Sequence, residues 1–205
     1  MAIILRHAIA DYLNIGTKMN PIWALCGTGF NNLDESPNAQ VESRTYVHEN
    51  DAYPSIIRYE SSFDFETDMW NDQEAVNLIY NIGRNRCVGE NAMVQYLRTD
   101  FLIDKDGSII NNIVTARMFN CACEVSDIQG GGGEIITVSG VFHVCGHHTE
   151  GMFDLGYRLF MPDETMASIL SNLDIDVGTG KLMAEDSAYT FSVNDSNGHL
   201  MIEYS

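Results

Sequence analysis

The chain has 205 residues, 45% of them hydrophobic and 20% charged, with a mean hydropathy of -0.11; this is enough to bury one sizeable core and leaves room for an appendage. Against 11 Lys and Arg stand 29 Asp and Glu, a formal net charge of -18 at pH 7 and an isoelectric point near 4.4. That balance argues against ordinary nucleic-acid binding and against an anionic membrane surface as partner, since both require cations facing phosphate.

No apolar run, Ala2 to Leu5 included, approaches the roughly 20 residues that cross a bilayer, and Asp11 interrupts any secretory apolar stretch. Five scattered cysteines (Cys26, Cys87, Cys121, Cys123, Cys145) do not suit a secreted disulfide framework, which points to synthesis in a reducing cytoplasm.

In chain order, strand-like segments dominate. The first are Ile9 to Ile15 and Ile22 to Cys26. From Gln40 to His48 the pattern alternates, with Val41, Ser43, Thr45 and Val47 on one face and Glu42, Arg44, Tyr46 and His48 on the other, which predicts a half-buried strand of edge type. Ser55 to Tyr59 follows. Asn71-Asp72-Gln73-Glu74 then offers an N-cap with an acidic residue three later, ahead of Ala75, Leu78, Ile79 and Ile82 at helical spacing. The expectation is a helix from Asp72 to Ile82, with those four residues buried, Glu74 and Asn81 wet, and Gly83 as C-cap.

Strand candidates resume at Met93 to Ile103, Ile109 to Phe119, Asn120 to Val125, Glu134 to Val144 and Met152 to Phe160. Asp104-Lys105-Asp106-Gly107 and Asn197-Gly198 read as hairpin turns. Gly130-Gly131-Gly132-Gly133 reads as a mobile tip between two long strands. A second, weaker helix is expected from Asp163 through Ile169 and Leu170. Beyond Pro162 the composition turns rich in Asp, Ser and Gly, which sets a boundary between a β domain, 1–161, and a C-terminal appendage, 162–205.

The chemical motifs resolve into turns and core fillers. Cys121-Ala122-Cys123 and the run His143, Cys145, His147, His148 hold donor types suited to a metal, but no CxxC pair has finger-like spacing, and cysteines two apart on a strand share a face as small apolar fillers. Asp104, Asp106 and Ser108 imitate an EF-hand loop whose twelfth position is Thr115 rather than Glu. Gly27-Thr28-Gly29-Phe30 lacks the residues of a phosphate loop, and no G-x-S-x-G elbow is present. We therefore expect no enzyme, no catalytic residues, no cofactor and no metal, and a β-rich assembly protein instead.

Several blocks in order carry a resemblance: Tyr12 to Thr17; Pro21-Ile22-Trp23-Ala24-Leu25-Cys26-Gly27-Thr28-Gly29-Phe30; Leu33 to Gln40; Phe63-Asp64-Phe65-Glu66-Thr67-Asp68; the helix Glu74 to Asn85; Ala116-Arg117-Met118-Phe119; and Val138-Ser139-Gly140 leading to Glu150-Gly151-Met152-Phe153. Over residues 8 to 160 the chain resembles the major tail, or tail tube, proteins of long-tailed bacteriophages and prophages. It departs at Cys26, where an apolar or small residue is expected, and after Pro162, which has no counterpart.

The resemblance implies a β-sandwich or half-barrel protomer with one flanking helix. It implies rings, hexameric in the family, that stack into a hollow virion tail tube and conduct DNA into a bacterial host as a passing, unbound cargo. Its partners would be further copies of itself, a tape-measure protein and tail-end proteins. Trp23 and Phe30 beside their glycines, and Ile128 with Gly130, Gly131, Gly132 and Gly133, are the expected inter-subunit contacts; Asp100, Asp104 and Asp106 are candidate lumen acids. The same residues fit a contractile tail or a tail-like bacteriocin. The alternative is a monomeric β-sandwich module binding carbohydrate or protein through Tyr53, Tyr59, Phe63 and Phe65.

Overall fold

The computed structural model describes residues 5–48, 50–100 and 112–163, and the backbone of four short strands beyond them. The chain divides into two units, Met1–Phe160 and Met161–Ser205. The first contains β1 (Asp11–Asn14), β2 (Trp23–Leu25), β3 (Phe30–Ser36), β4 (Ala39–Arg44), β5 (Tyr53–Tyr59), β6 (Ser62–Asp68), α1 (Glu74–Arg84), β7 (Met93–Thr99), β8 (Ile113–Gln129), β9 (Thr137–Val144) and β10 (Thr149–Asp154); β11 (Leu159–Pro162) pairs with β10 at its end. The second contains the antiparallel pairs β12 (Leu173–Asp176) with β13 (Lys181–Ala184) and β14 (Tyr189–Val193) with β15 (Leu200–Tyr204). The last pair is the one expected around Asn197-Gly198, although that turn lies outside the described residues. The loop at Asp104 and Asp106 and the helix expected from Asp163 also lie outside them.

The main sheet runs in the order β2-β1-β7-β8-β9-β6-β3, with antiparallel neighbours throughout. Its two end strands, β2 and β3, are joined by residues 26–29 alone. Seven flat strands would hold their ends about 29 Å apart, at about 4.8 Å per gap, whereas five Cα steps reach at most about 18 Å. The sheet must therefore curl, and the outcome is a half-barrel whose concave face is the core. Leu13, Phe63, Phe65, Tyr96, Phe119, Cys121, Cys123 and Phe142 are buried on that face. The opposite face of β1, β7 and β8 buries a second cluster of Tyr12, Trp23, Leu97, Val114, Ala116 and Phe153.

α1 covers the concave core through Ala75, Ile79 and Ile82, as its spacing predicts, with Glu74 and Asn81 exposed. Val76 is fully buried as well, while Leu78 is only partly so. The helix begins at Glu74 rather than Asp72, and Gln73 precedes it without a side-chain cap. Gly83 is not the cap. It lies within the helix, which ends at Arg84 with Asn85 as its C-cap, and a Cβ on Gly83 would sit 2.7 Å from Val125 Cγ1. An exposed helical glycine gains about 0.5–1 kcal/mol when replaced by alanine; here the sign reverses. Gly83→Ala is expected to lower unfolding free energy by about 1–3 kcal/mol through overpacking, measured by denaturant titration.

Other expectations are corrected by register. Ile109 to Phe119 and Asn120 to Val125 are not two strands: from Ile113 on they form the single 17-residue β8, irregular only between Val125 and Asp127. Met152 to Phe160 is a hairpin, β10 and β11, broken by a turn in which the Asp154 carboxylate accepts from the backbone of Gly156 and Tyr157. Phe30 to Ser36 and Ser62 to Asp68 are additional strands. Gln40 to His48 is not half-buried: β4 pairs with β5 alone, and every residue of both strands except Gln40 is exposed.

Candidate functional site

The curl leaves a seam between β1–β2 and β3 that is held by side chains. Arg98, on β7, points into the concave core with its side chain 7% exposed, and its guanidinium crosses to the far edge. Its Nε donates to Asp11 Oδ1 (2.7 Å), while its terminal nitrogens donate to Leu33 O (3.0 Å) and Glu35 Oε2 (3.2 Å). Tyr96 and Arg6 also donate to the Asp11 carboxylate. Arg117 grips Glu35 with two hydrogen bonds, 2.9 and 3.0 Å, and lies 4.0 Å from Asp100.

Arg98 stacks over Phe63 at 5.0 Å, so its flat cation is satisfied on its faces as well as its edge. Burial would raise the Glu35 carboxyl, but hydrogen bonds and charge from Arg117, with Arg98 behind them, hold it below the usual carboxylate range. Burial, then Asp11, push the Tyr96 phenol well up. The cluster is a closed set of paired charges, so its chemistry is structural: it locks the seam.

The second feature is the hairpin β4–β5. Val41 and Ile56 are cross-strand partners, 58% and 57% exposed, and Ile57, Tyr53 and Tyr59 are exposed beside them. The third is the β8–β9 tip. Glu134 folds it by donating its N–H to Gly131 O and accepting from Gly131 N–H, and Gly133 takes φ +86°. Ile128, Ile135 and Ile136 stand exposed around it.

The fourth is a groove of about 770 Å³ at the base of the hairpin. β9 and β10 follow one another along the same side of β8, pairing with residues 121–129 and then 113–118. Between them the chain jogs outward at residues 145–148, where Gly146 takes φ +81°. His143, His147 and His148 thereby line the groove with Arg58 and Arg117.

These positions sort the residues singled out from sequence. Ile128 and Gly130–Gly133 come together in one exposed tip. Trp23 is 2% exposed against Phe153, inside the protomer's own second cluster, and Phe30 is partly buried beside the first. Asp100 is half-exposed and accepts from Thr115 Oγ1 at 2.9 Å; Asp104 and Asp106 lie outside the described residues. Tyr53 and Tyr59 are exposed at opposite ends of β5, but Phe63 and Phe65 are core, so the four do not make one aromatic platform.

Cys121 and Cys123 fill the core, their thiols pushed up to about 12 by burial, while His143 faces outward opposite Ala122 and bonds Glu124 at 2.7 Å. Sequence reasoning missed the Asp11–Arg98–Glu35 lock. Its members are up to 87 residues apart, and the one hint was charge at in-facing strand positions.

No family model matches the chain, and no curated protein matches it in sequence. Among solved structures, a chain of the anti-feeding prophage (AFP) baseplate, determined by cryo-EM and sixfold symmetrised, aligns with a TM-score of 0.45 and 9% identity, covering 76% of this chain and 98% of that one.

Proposed function

We propose that the protein is a structural subunit of a phage or phage-like tail tube, assembling with its own copies into stacked, hexameric rings. The observation that carries this is the hairpin β4–β5. A two-stranded hairpin with both faces in water is marginal at best, and this one also displays Val41, Ile56, Ile57 and two tyrosines. Such an arm gains its stability by lying on another surface, and in a homomeric filament that surface is the next subunit. The resemblance over residues 8 to 160 supports the same choice.

In this reading the protein is a virion component made in the bacterial cytoplasm, with a tape-measure protein inside the tube, terminator proteins at its ends and no membrane or catalytic role. Its acidic surplus repels phosphate, so that DNA slides through unbound during ejection. Asp100, with Asp104 and Asp106, is assigned to the lumen, and the tip around Ile128 and Gly130–Gly133 to a contact that orders on packing. The 162–205 segment is an appendage to the tube-forming domain.

The test is negative-stain microscopy with sedimentation velocity across a concentration series. Wild-type protein is expected to give rings or hollow tubes. Val41→Ser with Ile56→Ser removes one exposed cross-strand pair, so the protomer should keep its stability to within about 0.5 kcal/mol while assembly is lost. A wild-type protein that stays monomeric throughout, or a double variant that assembles normally, overturns the proposal.

A further inference from the structure

Half of the chain's six histidines line the groove at the β9–β10 jog, beside two of its 11 cationic residues, in a protein of net charge -18. No other described surface combines these residues. The groove's own carboxylates are already engaged: Glu35 is held by Arg117 and Arg98, and Glu60 pairs with Arg58 at 2.7 Å. From the flanking strands Glu124 bonds His143 and Glu150 approaches His148 at 3.4 Å; Cys145 and His147 are the other titratable groups on the jog. His148 lies tilted against Phe119, ring centroids 5.4 Å apart, and Arg117 lies over the same ring. His147 is exposed and makes no hydrogen bond or ion pair among the described residues.

A complementary surface exists on the same chain. Asp34 on β3 and Asp64 on β6 are direct cross-strand partners, and Glu66 follows two residues on; all three are exposed and none is paired with a cation among the described residues. Like charges set opposite each other on a sheet are destabilising, and a cationic partner from outside relieves that.

We propose that the groove at Arg58, His147 and His148 receives the Asp34–Asp64–Glu66 carboxylates of a second copy of this chain, forming a contact that tightens on acidification. The inference rests on the self-assembly proposed above and names the polar part of that contact. Histidine is the side chain that gains charge between about pH 8 and 5. Three histidines line this groove, facing the carboxylate row in the proposed contact.

The experiment is sedimentation velocity of the full chain at pH 8.0 and pH 6.0, with circular dichroism on every variant. Wild-type association is expected to be about tenfold tighter at pH 6.0, from two or three exposed pairs of modest strength each. Arg58→Glu with His147→Glu, and separately Asp64→Lys with Glu66→Lys, should each remain folded but lose self-association. Mixing the two variants should restore it, because one supplies an acidic groove and the other a basic row. A folded groove variant that associates like wild type, or a mixture that does not recover, overturns this contact while leaving self-assembly standing. A wild-type chain monomeric at both pH values overturns both proposals.

Discussion

Arg98→Ala is expected to lower the unfolding free energy by about 3–5 kcal/mol, the cost of leaving a buried carboxylate without its partner. Asp11 is 2% exposed and would keep only Tyr96 and the half-exposed Arg6 as donors. Leu33 O and Glu35 would lose their hydrogen bonds from β7 at the same time. The loss is large because Arg98 is the buried one of the two arginines, with Arg6, that join Asp11 to Leu33 O where no backbone ladder runs between β1 and β3. Arg98→Lys should recover little, since a single ammonium cannot reach Asp11, Leu33 and Glu35 together or stack flat on Phe63. Guanidinium titration of wild type and both variants measures this, and a change under about 1 kcal/mol for Arg98→Ala would show that the seam is held by something else.

Gly140→Ala is the second large effect, expected at about 3 kcal/mol or more, at or beyond the usual upper end for overpacking. Gly140 is on β9, where β8 and β6 press from both sides, opposite Val125 and Phe65. A Cβ there would stand 1.9 Å from the backbone oxygen of Glu124 and 2.8 Å from Phe65 Cζ. The phenyl ring could tilt away, but the carbonyl belongs to the ladder and cannot. Thermal unfolding of Gly140→Ala should therefore show a clear drop in Tm, or the variant should accumulate as insoluble protein. A variant as stable as wild type would mean that β8 and β9 can separate locally without cost.

What the sequence disclosed follows from which forces are local. The face of α1 was legible because Ala75, Ile79 and Ile82 repeat at the helical period and meet one surface. Gly83 was misjudged because a glycine after an apolar helical run suits a cap as well as it suits contact with Val125, and only the fold decides between them. β3 was hidden because Asn31, Asn32 and Asp34 look like loop residues, although they are the wet face of a strand whose inward residues are Leu33 and Glu35. Alternation from Gln40 to His48 was real, yet alternation reports pairing geometry and says nothing about whether a second layer covers either face.

The candidate site was legible in part for the same reason. The glycine tip lies between neighbouring strands, so its residues arrive together. The seam lock joins positions 11, 35 and 98, and the groove joins positions 58, 117 and 147, and no local pattern announces such meetings.

The 17-residue β8 contributes Val114 and Ala116 to one apolar cluster and Phe119, Cys121 and Cys123 to the other. A beam shared by two cores ties their melting together. Neither can loosen without disturbing the hydrogen bonds that hold the other, so the half-barrel has no cheap partially unfolded intermediate. This closes one route by which sticky, half-open chains would aggregate at random.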